Sequence, residues 1–409
     1  MKRDPWFRRF AVSCVLCALV SRGFAQSTSS LDGQELDLTT RLRTVEEELD
    51  ALKARAPSSN SGRNKFLVTG FGYTDFTNLD GQTSTFTTAI SPIILWQMGE
   101  RLLFEAELTF ELGYDDAEGG DTATDLEYAD GSYLVNDNLT VGAGKFLTPF
   151  GIFAERLHPA WINKLPTMPL IAGHTGIVPF TSVGAYARGG CSCGAGGWNY
   201  AAYVSNGPRL NTGASEPDEA GLLHFDNYED VNNDKAVGAR VGYLPTSGVE
   251  IGASFITADA GPKGDMIGDA RAQIYGLDLS CDRGVSDSGE VQVRGEWAWS
   301  DVEDVTYDKN GSLGFGPLMF DNQRNGGYLQ VAYRQTTGGA LDAYEPVIRY
   351  DMLDVPGGSP VPEDEERWTF GIDRWLGPSS VVKLAYQLDD KTNGGKSVEG
   401  FLAQVAFGF

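Results

Sequence analysis

Apolar and polar residues alternate with a period of two along most of the chain, and the final segment shows this most clearly. Its apolar face consists of Phe401, Ala403, Val405, Phe407 and Phe409. The opposite face carries small or polar residues such as Gln404. A period of two is that of a β-strand, and lipid on one side with water on the other accounts for this pairing of faces. The closing strand of a soluble sandwich would also alternate, but the pattern favours a transmembrane barrel.

The alternation predicts sixteen strands between residue 65 and the end of the chain. They are placed at 66–76, 84–97, 102–112, 123–135, 139–146, 181–189, 197–205, 235–244, 249–257, 271–282, 289–301, 327–336, 343–352, 366–375, 379–389 and 397–409. Short links such as 98–100 alternate with longer ones, predicted at 77–83, 113–122, 147–180, 206–234, 258–270, 302–326, 353–365 and 390–396. Short turns on one side and long loops on the other are typical of outer-membrane barrels. The predicted fold class is all-β, a 16-stranded antiparallel transmembrane β-barrel with a short N-terminal α-helical coiled-coil segment.

Charged residues recur on the strand faces opposite the apolar ones. A dry interior would not tolerate charges such as Arg294 and Arg349 without partners, so this face should meet water. Sixteen strands enclose a lumen wide enough for an aqueous channel. The residues predicted to face the lumen are Glu105, Glu107, Arg240, Arg294, Glu296, Arg334, Arg349 and Lys383.

The N-terminal segment reads as an export signal followed by a short helix. Basic residues precede an apolar stretch at 10–20 that is too short to span a bilayer, which predicts a signal peptide over 1–25. A heptad seam of five apolar residues then predicts a coiled-coil helix over 26–56, or an amphipathic helix lying on another surface. The seam residues are Leu38, Leu42, Val45, Leu49 and Leu52. A linker over 57–64 would lead into a barrel domain over 65–409.

Composition and charge narrow the function classes. The net charge of −24 argues against a nucleic-acid partner and suits acidic loops at a lipopolysaccharide-bearing surface. Cys191, Cys193 and Cys281 are too few for a disulfide scaffold, although a local Cys191–Cys193 disulfide and free thiols are both compatible with the spacing.

The connection at 147–180 differs from the others because it is apolar, rich in proline and weakly basic. A loop exposed to bulk water would not have this composition. The sequence therefore predicts that it folds into the barrel and constricts the pore.

The run from Gly144 to Gly151, Gly-Lys-Phe-Leu-Thr-Pro-Phe-Gly, opens this connection. It resembles the motif at the head of the constriction loop in the phosphate-selective porin O/P family. The resemblance implies a sixteen-stranded trimeric channel for passive uptake of small, often anionic solutes. The aromatic C-terminal strand, with Phe401, Phe407 and Phe409, likewise resembles the signal that the bacterial barrel assembly machinery reads. In place of the family's dense arginine eyelet and lysine ladder, the chain offers the constriction candidates Lys145, Arg156, His158 and Lys164, which argues against phosphate selectivity.

Between residues 145 and 188 the chain carries four basic residues and one acid, 4 − 1 = +3, within a chain of −24. A positive island at the narrowest point would attract anions and predicts a weak anion preference. The alternative is that Arg156 pairs with Glu155, Glu105 or Glu107, which would leave no net selectivity.

The predicted function is an outer-membrane porin for passive diffusion of small hydrophilic solutes or anions. A structural or tethering barrel is the alternative, and a barrel enzyme is disfavoured because His158 and Ser182 belong to no recognisable nucleophile motif. No cofactor and no metal site are expected: the three histidines have no second His or Cys at ligand spacing. The segment 224–234 could hold calcium but reads better as a solvated acidic loop. The predicted partners are outer-membrane lipid, lipopolysaccharide and two further copies in a homotrimer, in the outer membrane of a Gram-negative-type bacterium.

Overall fold

The computed structural model describes residues 64–409 apart from a set of short gaps. The gaps are 116–118, 174, 195, 215, 226–227, 229, 265–266, 268–269, 309–310, 312–313, 315, 338–341, 361–363 and 392–396. The predicted signal peptide, the predicted coiled-coil helix and all but the last residue of the predicted linker lie outside the described residues.

The described chain is built almost entirely of strands. They are β1 (Asn64–Leu79), β2 (Thr85–Met98), β3 (Leu102–Asp115), β4 (Gly119–Asn136), β5 (Leu139–Leu147), β6 (Thr181–Cys193), β7 (Gly196–Asn206), β8 (Arg209–Leu210), β9 (Leu223–His224), β10 (Lys235–Thr246), β11 (Val249–Asp259), β12 (Arg271–Ser286), β13 (Gly289–Val302), β14 (Asn322–Thr336), β15 (Ala343–Asp354), β16 (Glu365–Trp375), β17 (Ser380–Lys391) and β18 (Val398–Gly408). Sixteen of them close into one antiparallel barrel, while β8 and β9 form a separate two-stranded hairpin. The barrel closes by pairing β1 with β18, with Phe71 opposite Gly408. The predicted strand number and the antiparallel β-barrel are confirmed, while the predicted coiled-coil helix lies outside the described residues.

The two faces of the strands divide as the alternation predicts. In β18, Phe401 is 62% exposed and Val405 50% exposed on the outside, whereas Gln404 between them is 4% exposed. Exposed apolar side chains continue around the outer wall, among them Phe86, Trp96, Ile251, Phe370 and Leu384. A closed barrel with a continuous apolar exterior is suited to lipid and belongs in an outer membrane. In the described part of the chain, none of the helices is long and apolar enough for a bilayer crossing.

Connection lengths alternate around the barrel. The end carrying 148–180 and 207–234 is called the long-loop end, and the end carrying turns such as 137–138 and 247–248 is called the short-turn end. The largest departure from the predicted bounds is in the predicted loop 113–122, where β3 and β4 stay paired out to Asp115 opposite Gly119; smaller ones are the early start of β14 at Asn322 and the extension of β12 to Ser286. Beyond the lipid a strand needs no apolar face, so the alternation stops before the backbone pairing does.

The barrel interior is filled unevenly. A large apolar cluster draws on β5 to β7 and β10 to β15 and includes Ile256, Ile274, Ala298, Tyr328 and, from the 148–180 connection, Ile171. The connection 303–321 adds Tyr307, whose ring stacks on Phe320 at 5.3 Å. Two of the spaces left open lie against β1 to β7 and β18.

Two cysteines of the strands carry free thiols. Cys191 is exposed and Cys281 is partly exposed. The structure therefore contains no Cys191–Cys193 disulfide.

Candidate pore and constriction

The connection 148–180, called the constriction loop below, lies inside the barrel. Its π-helical turn, Phe153–Leu157, begins where the Phe153 N–H donates to Glu296 Oε1 on β13 at 2.7 Å. The Gly151 N–H donates to Ser254 Oγ on β11 at 3.1 Å. The apolar composition of the segment is explained by this position, since Phe150, Ile152 and Leu165 are almost completely buried.

The last glycine of the 144–151 motif has a steric role. Gly151 has φ = 62°, in the left-handed region that glycine adopts without strain. A Cβ at this position would lie 1.7 Å from Glu296 Oε2. Any side chain there would displace the carboxylate that caps the π-helical turn, so the motif encodes the docking of the loop onto β13.

Side chains of the constriction loop fit over glycines of the inner wall. The pairs are Phe150 on Gly276, Ile171 on Gly326 and Leu165 on Gly371. A Cβ at these glycines would come within 2.6 to 3.0 Å of the loop side chain. The three glycines lie on β12, β14 and β16, so the loop is held along the far wall of the barrel.

Three of the residues predicted to face the lumen bind the loop: Glu296, which accepts the Phe153 N–H, and two basic residues. Arg349 is 0% exposed and donates to Thr167 O at 2.9 Å and Met168 O at 3.0 Å, while pairing with Asp351 at 2.8 Å. Lys383 donates to the carbonyl groups of Ala160 and Asn163. Both side chains do point inward, but they are covered by the loop and do not line the open passage.

The candidate constriction residues have different surroundings. Arg156 forms two hydrogen bonds to Glu250, at 2.7 and 3.2 Å. Lys164 pairs with the fully buried Glu345 at 2.9 Å. Lys145 turns toward the neighbouring strand and donates to Leu126 O at 2.6 Å.

The remaining predicted lumen residues all point inward. Arg240 is buried between Glu250 and Asp278 at 2.9 and 2.6 Å. Arg294 pairs with Asp282 at 2.7 Å, and the Arg334 guanidinium lies 4.3 Å above the Trp375 ring. Carboxylates thus neutralise most of the basic residues on the inner wall.

Two polar cavities lie in the interior beside the loop and share two lining residues. The short-turn cavity measures about 520 Å³ and contains Glu105, Arg156 and Arg188. The long-loop cavity measures about 490 Å³ and contains Glu111 and Glu127. Both are lined by Glu107 of β3 and His158 of the loop, which therefore flank the junction between them.

The junction is a narrow polar gap. His158 Nε2 and Glu107 Oε2 lie 3.9 Å apart, with side chains 10% and 2% exposed. Neither atom has a hydrogen-bond partner. His158 Nδ1 lies 2.5 Å from Ala154 O, and the imidazole meets the rings of Phe71 and Phe180 edge-on. The ring is thereby fixed with Nε2 facing the carboxylate.

Charge is distributed unequally along the passage. The acids of the long-loop cavity are Asp75, Glu107, Glu111 and Glu127, and its described lining contains no lysine or arginine. The short-turn cavity is nearly balanced, with the acids Glu105, Glu107, Asp130 and Glu155 and the bases Arg156, Arg188 and Arg240. A third cavity of about 290 Å³, beneath the loop, is lined by Lys164, Arg294 and Arg334.

One group of residues could hold a metal ion. Ligand atoms of Glu216, Glu219 and His224 lie within 4.8 Å of one another in the 207–234 connection. The Asn211 amide donates toward Glu216 at 3.2 Å and contacts His224 Nε2 at 3.3 Å, which places an N–H donor among the acceptors. The histidine spacing alone did not reveal these two glutamates.

Several residues that shape the passage were not singled out by the sequence patterns. Glu250, Glu345 and Asp351 pair with the bases, and Glu127 lies opposite the junction. Strand parity places such residues on the inner face, but their partners come from strands or loops far away in sequence. The aromatic residues proposed as an assembly signal are exposed on the outside, where Phe409 also pairs its backbone with Gly70.

No protein-family model and no curated protein matches the chain. Solved structures of bacterial outer-membrane proteins do. OmpF of Salmonella typhi, in complex with daunomycin, aligns at 12% identity and a TM-score of 0.52 over 85% of this chain and 97% of that one. An anion-selective porin from Comamonas acidovorans aligns at 11% identity and a TM-score of 0.52, covering 85% and 100%. A loop-deletion mutant of OmpT from Vibrio cholerae aligns at 12% identity and 0.50, also covering 85% and 100%. At these identities the likeness shows the fold alone.

Proposed function

We propose that the protein is an outer-membrane porin, a water-filled channel for passive diffusion of small hydrophilic solutes. The observation that carries this proposal is the pair of polar cavities that run along β1 to β7 and meet at Glu107 and His158. A structural barrel would gain nothing from leaving charged side chains around unfilled space, because unpaired charge in a dry interior is costly. The loop fixed against the opposite wall narrows this passage without filling it.

The structure gives limited support to the weak anion preference predicted from the loop sequence. Arg156, Lys164 and Arg188 each pair with a carboxylate, at 2.7, 2.9 and 3.1 Å. At the junction, the charge without a basic partner is Glu107. We therefore propose a modest cation preference, set by Glu107 and the acidic long-loop cavity. The cavity lined by Lys164, Arg294 and Arg334 is the observation that favours the competing anion preference.

The proposal extends to assembly. A homotrimer, brought into register by a coiled coil over 26–56 after removal of residues 1–25, is supported by the heptad spacing and by the family resemblance. In this arrangement the long-loop end faces the cell exterior and lipopolysaccharide, and the short-turn end faces the periplasm. A relationship to the phosphate-selective porin O/P family rests on the 144–151 motif.

The test is reconstitution of the purified mature protein in a planar bilayer under a potassium chloride gradient. Stable conductance steps in groups of three would support a trimeric porin, and the sign of the reversal potential separates cation from anion preference. A folded barrel that gives no conductance would contradict the channel proposal and favour a structural role.

A further inference from the structure

The gap between the two cavities contains two facing acceptors. Ala154 O can only accept a hydrogen bond, so its 2.5 Å contact with His158 Nδ1 requires the proton on Nδ1. In the neutral imidazole, Nε2 then carries a lone pair and no proton. It faces the Glu107 carboxyl group, which in its carboxylate form has no proton to donate. This explains why both buried atoms lack a partner across 3.9 Å.

One proton added to the His158–Glu107 pair removes the mismatch between the two facing acceptors. With a proton on His158 Nε2, the facing atoms become a donor and an acceptor, and a charge-assisted hydrogen bond of about 2.8 Å can form. The net charge of the pair changes from −1 to zero. Histidine is the ordinary side chain that makes such a change between about pH 5 and pH 8.

We infer that His158 and Glu107 form a proton-binding site that sets the ion selectivity of the channel. This inference rests on the proposed porin function. In the deprotonated state the junction carries the Glu107 charge and favours cations. In the protonated state the pair is neutral and drawn together, so the junction is narrower and less selective.

Several other titratable and charged groups surround the His158–Glu107 pair. The titratable and charged groups that face it are Glu107 on β3, Glu127 and Tyr128 on β4, Asp75 on β1, and Glu155 and Arg156 on the loop. Arg156 is bound to Glu250 and Glu155 to Arg188, so both are already paired. Two histidines, His158 and His224, line the long-loop cavity among the described residues, and His158 is the one that also lines the short-turn cavity.

The experiment measures reversal potentials of the reconstituted wild-type channel between pH 8 and pH 5.5, in buffers with a chelator that removes divalent cations. The permeability ratio of K⁺ to Cl⁻ should fall by a factor of about 2 to 5 on acidification, as expected for loss of one unit charge at close range. The His158→Ala variant should shift far less than the wild type. The Asp137→Asn variant, altered in a short turn away from both cavities, leaves the pair intact and should shift like the wild type.

An unchanged wild-type ratio, or an equal shift in His158→Ala, would overturn the inference while leaving the porin function in place. If a folded wild-type barrel gave no current at all, the porin proposal would fail instead. The proton site would then be tested in detergent solution, by following the His158 imidazole resonance against pH. Its titration curve should change in Glu107→Gln, and an identical curve in the two proteins would refute the pairing.

Discussion

Arg349 on β15 and Thr167 in the constriction loop are joined by two hydrogen bonds, 2.9 Å to the carbonyl oxygen and 3.0 Å to the side-chain hydroxyl. The guanidinium is completely buried and also pairs with Asp351. A residue that strand alternation assigns to the water-filled lumen is thus an anchor for the element that narrows it.

Replacing Arg349 with Ala should loosen the constriction loop. The substitution leaves Asp351 buried without its cation, which typically costs about 3–5 kcal/mol. We expect larger and noisier single-channel currents and a lower urea midpoint for the folded barrel. In the double variant Arg349→Ala with Asp351→Asn the unpaired charge is gone, so the midpoint should recover in part while the noise persists. Wild-type current noise in Arg349→Ala would show that this anchor does not hold the loop.

Substituting Gly371 with Ala should shift the loop from its seat on β16. The new Cβ would lie 2.6 Å from Leu165 Cδ2, and overpacking of this kind costs about 1–3 kcal/mol. The double variant with Leu165→Ala should restore part of the loss, because the two side chains then no longer compete for space. A double-mutant cycle on stability and conductance measures this coupling, and strictly additive effects would argue against the packing described.

A side chain at Gly151 should disturb the start of the constriction. In Gly151→Ala the backbone has φ = 62° and the Cβ would collide with Glu296, so we expect a loss of about 1–2 kcal/mol from the left-handed backbone alone. The channel should also change its conductance. Gly377→Ala is the matched control, because a Cβ there has open space around it. Equal behaviour of the two variants would contradict the role given to Gly151.

Removing acids from the long-loop cavity should reduce the cation preference. The double variant Glu111→Gln with Glu127→Gln keeps side-chain size and takes two negative charges from the passage. The reversal potential should move toward that of chloride, and more strongly at low ionic strength, because salt screens such fields. Asp137→Asn in a short turn is the control. A shift of the same size in that variant would point to general surface charge.

Alkaline conditions should weaken the packing of the 303–321 connection, whose Tyr307 belongs to the apolar cluster of the barrel interior. Burial raises the pKa of Tyr307 to about 12. The folded state therefore holds this proton more tightly than the unfolded chain, whose tyrosines titrate near about 10. The stabilisation is complete below about pH 10 and is lost as the pH rises toward 12. Proteolysis of this connection should accelerate over that window in the wild type, and Tyr307→Phe should remove this contribution to the pH dependence.

The alternation of residues was sufficient to predict sixteen strands and their two faces, and the apolar, proline-rich composition of 147–180 predicted that this connection folds into the barrel. The alternation succeeded because the lipid-facing and inward-facing sides of a strand impose opposite demands on neighbouring residues, as at Val405 and Gln404 in β18. It could not show which inward residues meet the loop. Lys383 is separated from Asn163 by 220 residues, and no local pattern encodes that contact. The 113–122 boundary failed because pairing continues in water, where the signal from lipid is absent.

The constriction loop rests on glycines of the barrel wall, and this arrangement separates the size of the barrel from the width of its passage. The number of strands determines the size of the wall, whereas in the proposed channel the distance of a single internal segment from β3 would select the solutes that pass. Changes at Gly276, Gly326 or Gly371 could therefore alter which nutrients or antibiotics enter the cell while leaving the outer surface unchanged. Substitutions inside the barrel could therefore change its permeability without changing the outer surface that phage and antibodies bind.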